Sequence, residues 1–305
     1  MRLKYTTFAL LAILIWAGNT VVSKMAAGAI EPAVISFERW LLAALVLTPF
    51  LLRPSWRNRA AIRPYFFKLL ALSLLGMVLY QSLAYFAAAT TTATNMGIIA
   101  SLMPLLTLWL SSLLLGESPT LGTVAGGLLS LTGLILLIGK GEPALLLAHG
   151  ISYGDGLMLL ATLAYAGYGV LLRKWPMPIP TWQMLYVQIW IAVLLLLPGF
   201  WLAPASPITA VNLPLVLYAG IAASIVSAFL WMEGVGHLGA ARATMYMNLM
   251  PLFTALIAIL LLSETLHGYH LLGGGIALAG VLLAQTLKLP LRRRQPADAP
   301  TRNAG

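Results

Sequence analysis

The sequence has no cysteine among its 305 residues, and only 9% of its residues are charged. The absence of cysteine excludes disulfides and thiol chemistry. The scarcity of charge, together with 60% apolar residues and a mean hydropathy of +0.92, excludes an ordinary soluble domain. Strands that span a bilayer would alternate apolar and polar residues, and the long apolar runs of this chain do not. The composition therefore predicts an all-α polytopic membrane protein.

The chain also lacks the sequence signatures of catalysis and of ATP coupling. It contains no HExxH, P-loop or GxSxG motif. Its four histidines fall in or near loops, without the spacing of a metal site: His149, His237, His267 and His270. We therefore expect no enzyme activity, no cofactor and no bound metal.

Apolar windows of about 20 residues predict ten membrane-spanning helices, five in each half of the chain. The first five lie near 6–27, 33–52, 66–86, 92–114 and 121–139. The second five lie near 152–172, 182–202, 213–234, 240–262 and 268–288. Residues 1–140 and 152–288 would thus be two five-helix repeats, and residues 289–305, rich in Arg, Pro and Ala, would be a disordered cytoplasmic tail.

The two halves share sequence at a constant offset. Residues 102–105 and 249–252 both read Leu-Met-Pro-Leu, and the same offset places Glu117 on Glu264. Because five is an odd number, the second repeat must enter the bilayer from the side opposite to the first. Such an inverted repeat is typical of secondary transporters, whose halves rock about a site near the midplane. Channels also use inverted repeats, so the duplication alone does not decide between them.

The basic residues predict the orientation of the chain in the membrane. If the N-terminus is cytoplasmic, every Lys and Arg falls in a cytoplasmic loop or tail except Lys24, Lys140 and the intramembrane Arg39. The pattern predicts a multi-pass membrane protein with both termini in the cytoplasm. It also explains the net charge of +10 without a nucleic-acid partner. The expected partners are membrane lipids and a small-molecule substrate.

Arg39 is the most informative single residue. It lies about 10 Å inside the second predicted helix if that helix begins near residue 33. A charge at that depth must face a cavity or a partner, so Arg39 either ties helices together or contributes to a binding site. Glu38 precedes it, but adjacent helical positions diverge by about 100°, and the two need not pair.

Aromatic side chains with polar edges, and amides, occur in the middle of several predicted helices. Their polar groups need partners in hydrocarbon, which favours a cavity over interfacial anchoring. Interhelical hydrogen bonding is the alternative for the amides. Together with Arg39, the candidate substrate-binding residues are Trp16, Asn19, Tyr80, Gln81, Tyr85, Asn95, Tyr165, Tyr168, Trp231, Tyr246 and Asn248.

Other residues predict features of the scaffold. Pro104 and Pro251 predict bends in corresponding helices of the two halves. Glu117 and Glu264 each precede a helix, so we expect each to cap the next helix through its dipole. Glycines in the fifth and tenth helices predict close helix packing, either within the subunit or at a dimer seam, which leaves monomer and homodimer open.

Two stretches, 93–137 and 238–283, resemble the EamA domain of the drug/metabolite transporter superfamily. In the first stretch the resemblance rests on Pro104 and on Leu-Leu-Leu-Gly-Glu at 113–117, and the opening Trp-Ala-Gly-Asn at 16–19 is also similar to that family. The resemblance implies two inverted five-helix repeats and a cavity lined mostly by helices one, three, four, six, eight and nine. Glu233, near the end of the eighth helix, departs from the family pattern.

The leading hypothesis is a secondary transporter, an exporter or facilitator, that moves small metabolites such as amino acids by alternating access. Uptake or exchange of phosphorylated or nucleotide-sugar-like solutes is an alternative. Such solutes would require two or more basic residues in the cavity. A non-transporting membrane scaffold would leave the repeat unexplained. Because Glu38 lies beside Arg39, we expect it to be a poor proton carrier, and transport to depend weakly on the proton gradient.

Overall fold

The computed structural model describes residues 2–116, 118–142, 144, 151–238 and 246–289. Within these ranges the chain forms ten helices, numbered here in chain order. The first half contains α1 Arg2–Ala26, α2 Pro32–Arg57, α3 Arg59–Ala88, α4 Ala93–Leu115 and α5 Leu121–Ile138. The second half contains α6 Tyr153–Lys174, α7 Thr181–Leu202, α8 Leu213–Gly234, α9 Met247–Leu262 and α10 Gly268–Thr286.

This architecture confirms the predicted all-helical class with duplicated halves. Nine of the helices in the described ranges are long and apolar enough to cross a membrane, and α9 is shorter. Residues 240–245, where the ninth helix was predicted to begin, lie outside the described residues, as do Glu117 and nearly all of the predicted tail.

The end of α2 and the start of α3 extend beyond their predicted limits. The second helix was predicted to end near residue 52 and ends at Arg57; the third was predicted to begin near residue 66 and begins at Arg59. Pro49 and Pro54 lie inside α2 without ending it. Hydropathy marks where the apolar surface ends, whereas a helix continues for as long as its backbone hydrogen bonds do.

Corresponding helices of the two halves share the same irregularities. A turn at Ser101 and Leu102 interrupts α4, and Pro104 stands in the first turn of the segment Met103–Leu115. Pro251 stands in the first turn of Met250–Leu262 in the same way. Proline suits a first turn because its missing N–H has no helical partner there. Each proline therefore follows a break between helical segments, a turn in α4 and the 3₁₀ turn Met247–Leu249 in α9, and the bends themselves stay a prediction.

Glycines allow α5 and α10 to cross at backbone contact. A Cβ atom on Gly126 would stand 2.3 Å from the Gly280 carbonyl oxygen, and one on Gly133 would stand 2.3 Å from the Ala277 nitrogen. Ser130 Oγ adds a hydrogen bond of 2.9 Å to the Ala277 carbonyl oxygen. The sequence left open whether these glycines pack helices within the subunit or at a dimer seam. They pack helices within the subunit, because they bring together the last helices of the two halves.

Glu264 caps a helix, but not the next one along the chain. Its carboxylate accepts hydrogen bonds from Ala93 N at 2.8 Å, Thr94 N at 3.1 Å and Thr94 Oγ1 at 2.7 Å. It therefore caps α4, in the opposite half. The prediction that Glu264 caps α10 is wrong, because α10 begins with its own capping box of His267 and His270 and the fold brings the free amides of α4 to the end of α9.

Candidate functional site

Arg39 lies in the middle of the helix bundle, with 1% of its surface exposed. It stands about 10 Å from the start of α2 at Pro32. Ser36, Arg39 and Ala43 are all buried, and their spacing places them on one face of α2. That face is directed into the bundle, so Arg39 enters the protein interior and does not snorkel to the membrane surface.

The first half of the chain holds one end of the guanidinium group. Arg39 Nη1 donates to Gln81 Oε1 at 2.7 Å, to Tyr85 Oη at 3.1 Å and to Asn19 Oδ1 at 3.5 Å. These three acceptors come from α3 and α1, and all three were predicted as site residues. The structure thus joins four of the candidates in one hydrogen-bonded group.

The second half of the chain holds the other end through an irregular segment of α8. Arg39 Nη2 donates to the Ala219 carbonyl oxygen at 3.1 Å and to Ser224 Oγ at 2.8 Å. Both acceptors lie in the π-helical segment Tyr218–Val226. π-Helical turns are rare and are frequent at functional sites. Arg39 therefore bridges the two halves of the chain. Its partners in the first half are side chains, and its partners in the second half lie in a π-helical segment.

Two indole groups use π-helical carbonyls in the same way. Trp40 Nε1 donates to the Met77 carbonyl oxygen at 3.2 Å, within the π-helical segment Leu74–Leu79 of α3. Trp16 Nε1 donates to the Ala223 carbonyl oxygen of α8 at 3.3 Å. The π-helical segments of the two halves thus accept hydrogen bonds from neighbouring side chains of α1 and α2. Trp40 bonds to the segment in α3, and Trp16 and Arg39 bond to the segment in α8.

The charge of Arg39 is not neutralised by the part of the chain that the structure describes. Its acceptors are amides, hydroxyls and a carbonyl, and no described carboxylate forms an ion pair with it within 4.0 Å. Glu38 is only partly buried and does not pair with Arg39. Dipoles solvate a buried cation, but they leave its net charge in place.

A cavity of about 100 Å³ lies beside Arg39. Its polar side is formed by Arg39, Gln81 and Ser224, and its aromatic side by Trp16, Tyr165 and Tyr168. We call this cavity the Arg39 chamber. Its lining comes from α1, α2, α3, α6, α7 and α8. The resemblance implied that helices four and nine line the cavity, but α2 and α7 line it instead. α2 lines the cavity because Arg39 and its neighbour Trp40 project into it.

Three of the predicted aromatic residues line the chamber, and two more pack against their rings. The Tyr165 ring lies 4.7 Å from that of Tyr80 and 5.3 Å from that of Tyr168, centroid to centroid. The Trp16 and Trp231 rings lie 5.4 Å apart. These five candidates therefore form two aromatic clusters, Tyr80 with Tyr165 and Tyr168, and Trp16 with Trp231, and each cluster includes residues from both halves.

Three candidates lie elsewhere among the described residues. Asn95 Nδ2 donates to Asp155 Oδ1 at 3.3 Å, near the start of α4. Asn248 Nδ2 donates to Gln285 Oε1 of α10 at 3.3 Å. Tyr246 packs against the apolar core beside α9. None of the three lines the Arg39 chamber, and their role in substrate binding remains a prediction.

Sequence reasoning missed Trp40 and Ser224. Trp40 follows Arg39 directly and is buried on the same side of α2 as Ala43 and Ala44, so helical periodicity could have indicated it. Ser224 had no such signal, because a serine in an apolar helix commonly bonds its own backbone. The π-helical geometry that brings it to Arg39 is visible only in the structure.

A larger groove of about 840 Å³ lies on the surface at the ends of α2, α3 and α7. Its walls include Leu52, Phe66 and Trp190, and its basic residues are Arg59 and Arg63. The two arginines are exposed to solvent. Because its walls are mostly apolar and its charges are solvated, the groove is a weaker candidate for a substrate site than the Arg39 chamber.

Substitution of the chamber aromatics tests this assignment. Alanine at Trp16, Tyr80, Tyr165 or Trp231 is expected to lower transport while the protein still inserts and folds, because Trp16 and Tyr165 line the cavity and Tyr80 and Trp231 pack against their rings. Truncation of a packed core aromatic would instead cost about 3–5 kcal/mol of stability. Trp201→Ala, at a side chain that is 76% exposed, is the control. Loss of expression in proportion to transport would show that the rings are packing groups.

The chain is similar to a known family of membrane transporters. The EamA-like transporter family matches residues 3–139 and 152–286. An uncharacterized transporter of Archaeoglobus fulgidus is 29% identical over 284 residues, which cover 90% of this chain and 94% of the relative. A probable terminal-alkyne amino-acid exporter of Streptantibioticus cattleyicolor is 24% identical over 234 residues, which cover 74% of this chain and 75% of the relative.

A solved crystal structure shares the fold, with a TM-score of 0.63 over 94% of this chain and 98% of that chain at 19% sequence identity. The two family matches each contain one five-helix half and together cover most of the sequence. The chain is therefore a multi-pass membrane transporter, not an enzyme, and it belongs to the EamA-like transporter family.

Proposed function

We propose that the protein exports small metabolites, or lets them move down their gradient, across a bacterial inner membrane by alternating access. The observation that carries this proposal is the Arg39 chamber at the junction of the two halves. Arg39 is bonded to Gln81 of α3 and to Ser224 of α8, so a change in the angle between the halves must change the site. A site between inverted repeats is the common arrangement of secondary transporters.

Amino acids are the first solute class to test. The chamber offers one cation and an aromatic side, which suit a solute with one acidic group and an apolar side chain. The relative from Streptantibioticus cattleyicolor, named a probable exporter of a terminal-alkyne amino acid, supports the same choice.

Phosphorylated and nucleotide-sugar-like solutes are the less favoured alternative. A phosphate group is commonly bound by several cationic groups, and among the described lining residues of the chamber only Arg39 is basic. Lys24 does not supply a second cation, because its Nζ donates to the Ala88 carbonyl oxygen at 2.7 Å and it does not line the chamber.

Proteoliposomes test the proposed function directly. Vesicles preloaded with a single unlabelled amino acid should take up its labelled form by exchange, and protein-free vesicles should not. The assay is repeated over the common amino acids and then over other classes of small metabolite. Absence of exchange for every solute, with protein shown to be folded and inserted, would contradict the proposal.

We expect the proton gradient to have little effect on the transport rate. Glu38 neither lines the Arg39 chamber nor pairs with Arg39 among the described residues, so a proton on Glu38 would not compete with solute there. Glu38→Gln is therefore expected to transport like the unmodified protein. Accumulation of solute against its own gradient under an imposed pH difference, abolished in Glu38→Gln, would show proton coupling.

The proposed orientation places the loop between the halves outside the cytoplasm. A reporter enzyme active only outside the cytoplasm should be active when fused after Lys140, since few basic residues flank that loop. The same reporter fused after Arg59 or at the C-terminus should be silent. Activity at the C-terminus would contradict both the even number of spans and the inverted relation of the halves.

A further inference from the structure

We propose that Arg39 binds a carboxylate group of the transported solute, so that the chamber accepts monocarboxylates, including α-amino acids, and rejects their neutral amides. This inference rests on the proposed transport function of the same chamber. It adds the chemical group that the solute must carry and the atoms that receive it.

The charge of the chamber is the first reason. Arg39 is 1% exposed and pairs with no carboxylate among the described residues. Leaving a cation unpaired in the interior of a protein is costly, and a buried arginine commonly has an anionic partner. A solute carboxylate would supply the counter-charge that the described part of the chain does not.

The hydrogen bonds of the guanidinium group are the second reason. Nη1 and Nη2 are bonded to neutral acceptors, whereas the buried Nε–H has no acceptor among the described residues. Nε and Nη2 form one edge of the guanidinium plane, and such an edge binds the two oxygens of a carboxylate side by side. Nε, one of the two donors of that edge, is therefore free to receive an acceptor.

The other donor of that edge is easily released. Nη2 donates to Ser224 Oγ at 2.8 Å, and Ser224 Oγ also donates to the Ala219 carbonyl oxygen at 2.8 Å. If a carboxylate oxygen takes the place of Ser224 Oγ, the serine hydroxyl retains its bond to Ala219. Nη1 retains its bonds to Gln81 and Tyr85. The exchange therefore leaves none of these protein groups unsatisfied.

The size and lining of the chamber restrict the anion. A volume of about 100 Å³ holds several water molecules or a small carboxylate. Larger solutes need the chamber to open along its aromatic side, toward Trp16, Tyr165 and Tyr168. A single cation suits a monoanion better than the double charge of a phosphate monoester. Together these features select a carboxylate with an apolar remainder.

Matched carboxylates and amides test the proposal without a transport assay. Thermal unfolding of the purified protein is measured with acetate, propionate and phenylacetate, and with acetamide, propionamide and phenylacetamide at equal concentration and ionic strength. A ligand that binds the folded state raises the melting temperature. We expect one or more of the carboxylates to raise it and the matched amides to leave it unchanged. Equal shifts within every pair, or no shift by any carboxylate, would overturn the proposal.

Three variants separate binding at Arg39 from a general salt effect. Arg39→Gln should lose at least tenfold in carboxylate affinity, and Arg39→Lys should lose much of it, because lysine keeps the charge without the planar edge. Lys24→Gln removes a cation outside the chamber and should bind carboxylate normally. A carboxylate shift that persists in folded Arg39→Gln would overturn the proposal.

Ser224→Ala tests the proposal independently if the Arg39 variants fail to fold. It removes the neutral acceptor that competes for Nη2 and keeps the cation, so it should bind carboxylate more tightly than the unmodified protein. Unchanged or weaker binding in folded Ser224→Ala would contradict the proposed exchange of partners. Carboxylate binding without transport would contradict the proposed function alone; transport of amides and carboxylates at equal rates would contradict this inference alone.

Discussion

Gly280→Leu is expected to abolish the accumulation of folded protein. A Cβ atom at this position would stand 2.4 Å from Ser130 Oγ and 2.5 Å from both the Gly126 carbonyl oxygen and the Ser130 nitrogen. Two of these three atoms are backbone, so a rotamer change cannot relieve the clash. Overpacking a core costs about 1–3 kcal/mol when side chains can yield, and we expect a larger cost here because α5 itself must move.

Gly275→Leu is the matched control for this prediction. It lies on the same helix, but a Cβ atom there meets nothing within 4 Å, and the position is exposed. Yield of monodisperse protein in detergent and the melting temperature are compared for the two variants. If Gly280→Leu accumulated and melted like Gly275→Leu, α5 and α10 would not be in backbone contact in the folded protein.

Glu264→Ala is expected to destabilise the protein by about 2–3 kcal/mol, because hydrogen bonds to a charged group and a carboxylate at a helix N-terminus are lost together. The affected groups are the amides of Ala93 and Thr94 and the Thr94 hydroxyl. Glu264→Gln retains one acceptor oxygen and should be intermediate. Since this contact joins α9 to α4, we also expect faster proteolysis at the start of α4.

Glu142→Ala serves as the control, because Glu142 is an exposed carboxylate in the connection after α5. Its melting temperature should not change. A Glu264→Ala variant with the stability of Glu142→Ala would show that the bonds to α4 contribute nothing to the folded state, and the assignment of Glu264 as a cap between the halves would be withdrawn.

Hydropathy and duplication were sufficient to predict the main architecture, because the membrane requires about 20 apolar residues in each spanning helix. They could not predict the π-helical segments Leu74–Leu79 and Tyr218–Val226. A π-helical turn depends on neighbouring donors that stabilise its displaced carbonyls, and those donors come from other helices. The partner of Glu264 was missed for a similar reason, because a cap can be supplied by any helix end that the fold brings close.

Part of the residue cluster around Arg39 could be predicted, because charged and hydrogen-bonding side chains are costly in hydrocarbon. That cost identified Arg39, Asn19, Gln81 and Tyr85, which the structure brings together. It could not distinguish them from Asn95, whose amide is satisfied by Asp155 instead. Nothing in the sequence indicated that the Ala219 carbonyl oxygen accepts a hydrogen bond from Arg39, because a backbone acceptor does not depend on the side chain.

If the halves alternate as proposed, the Arg39 guanidinium, which no described carboxylate neutralises, would make the empty transporter sensitive to voltage. In a transporter that opens one chamber to each side in turn, the chamber takes the electrical potential of the compartment it faces. Moving one elementary charge through 100 mV is worth about 2.3 kcal/mol. With the cell interior negative, the empty chamber with its positive charge would therefore be held open to the cytoplasm, the side from which the proposed export begins.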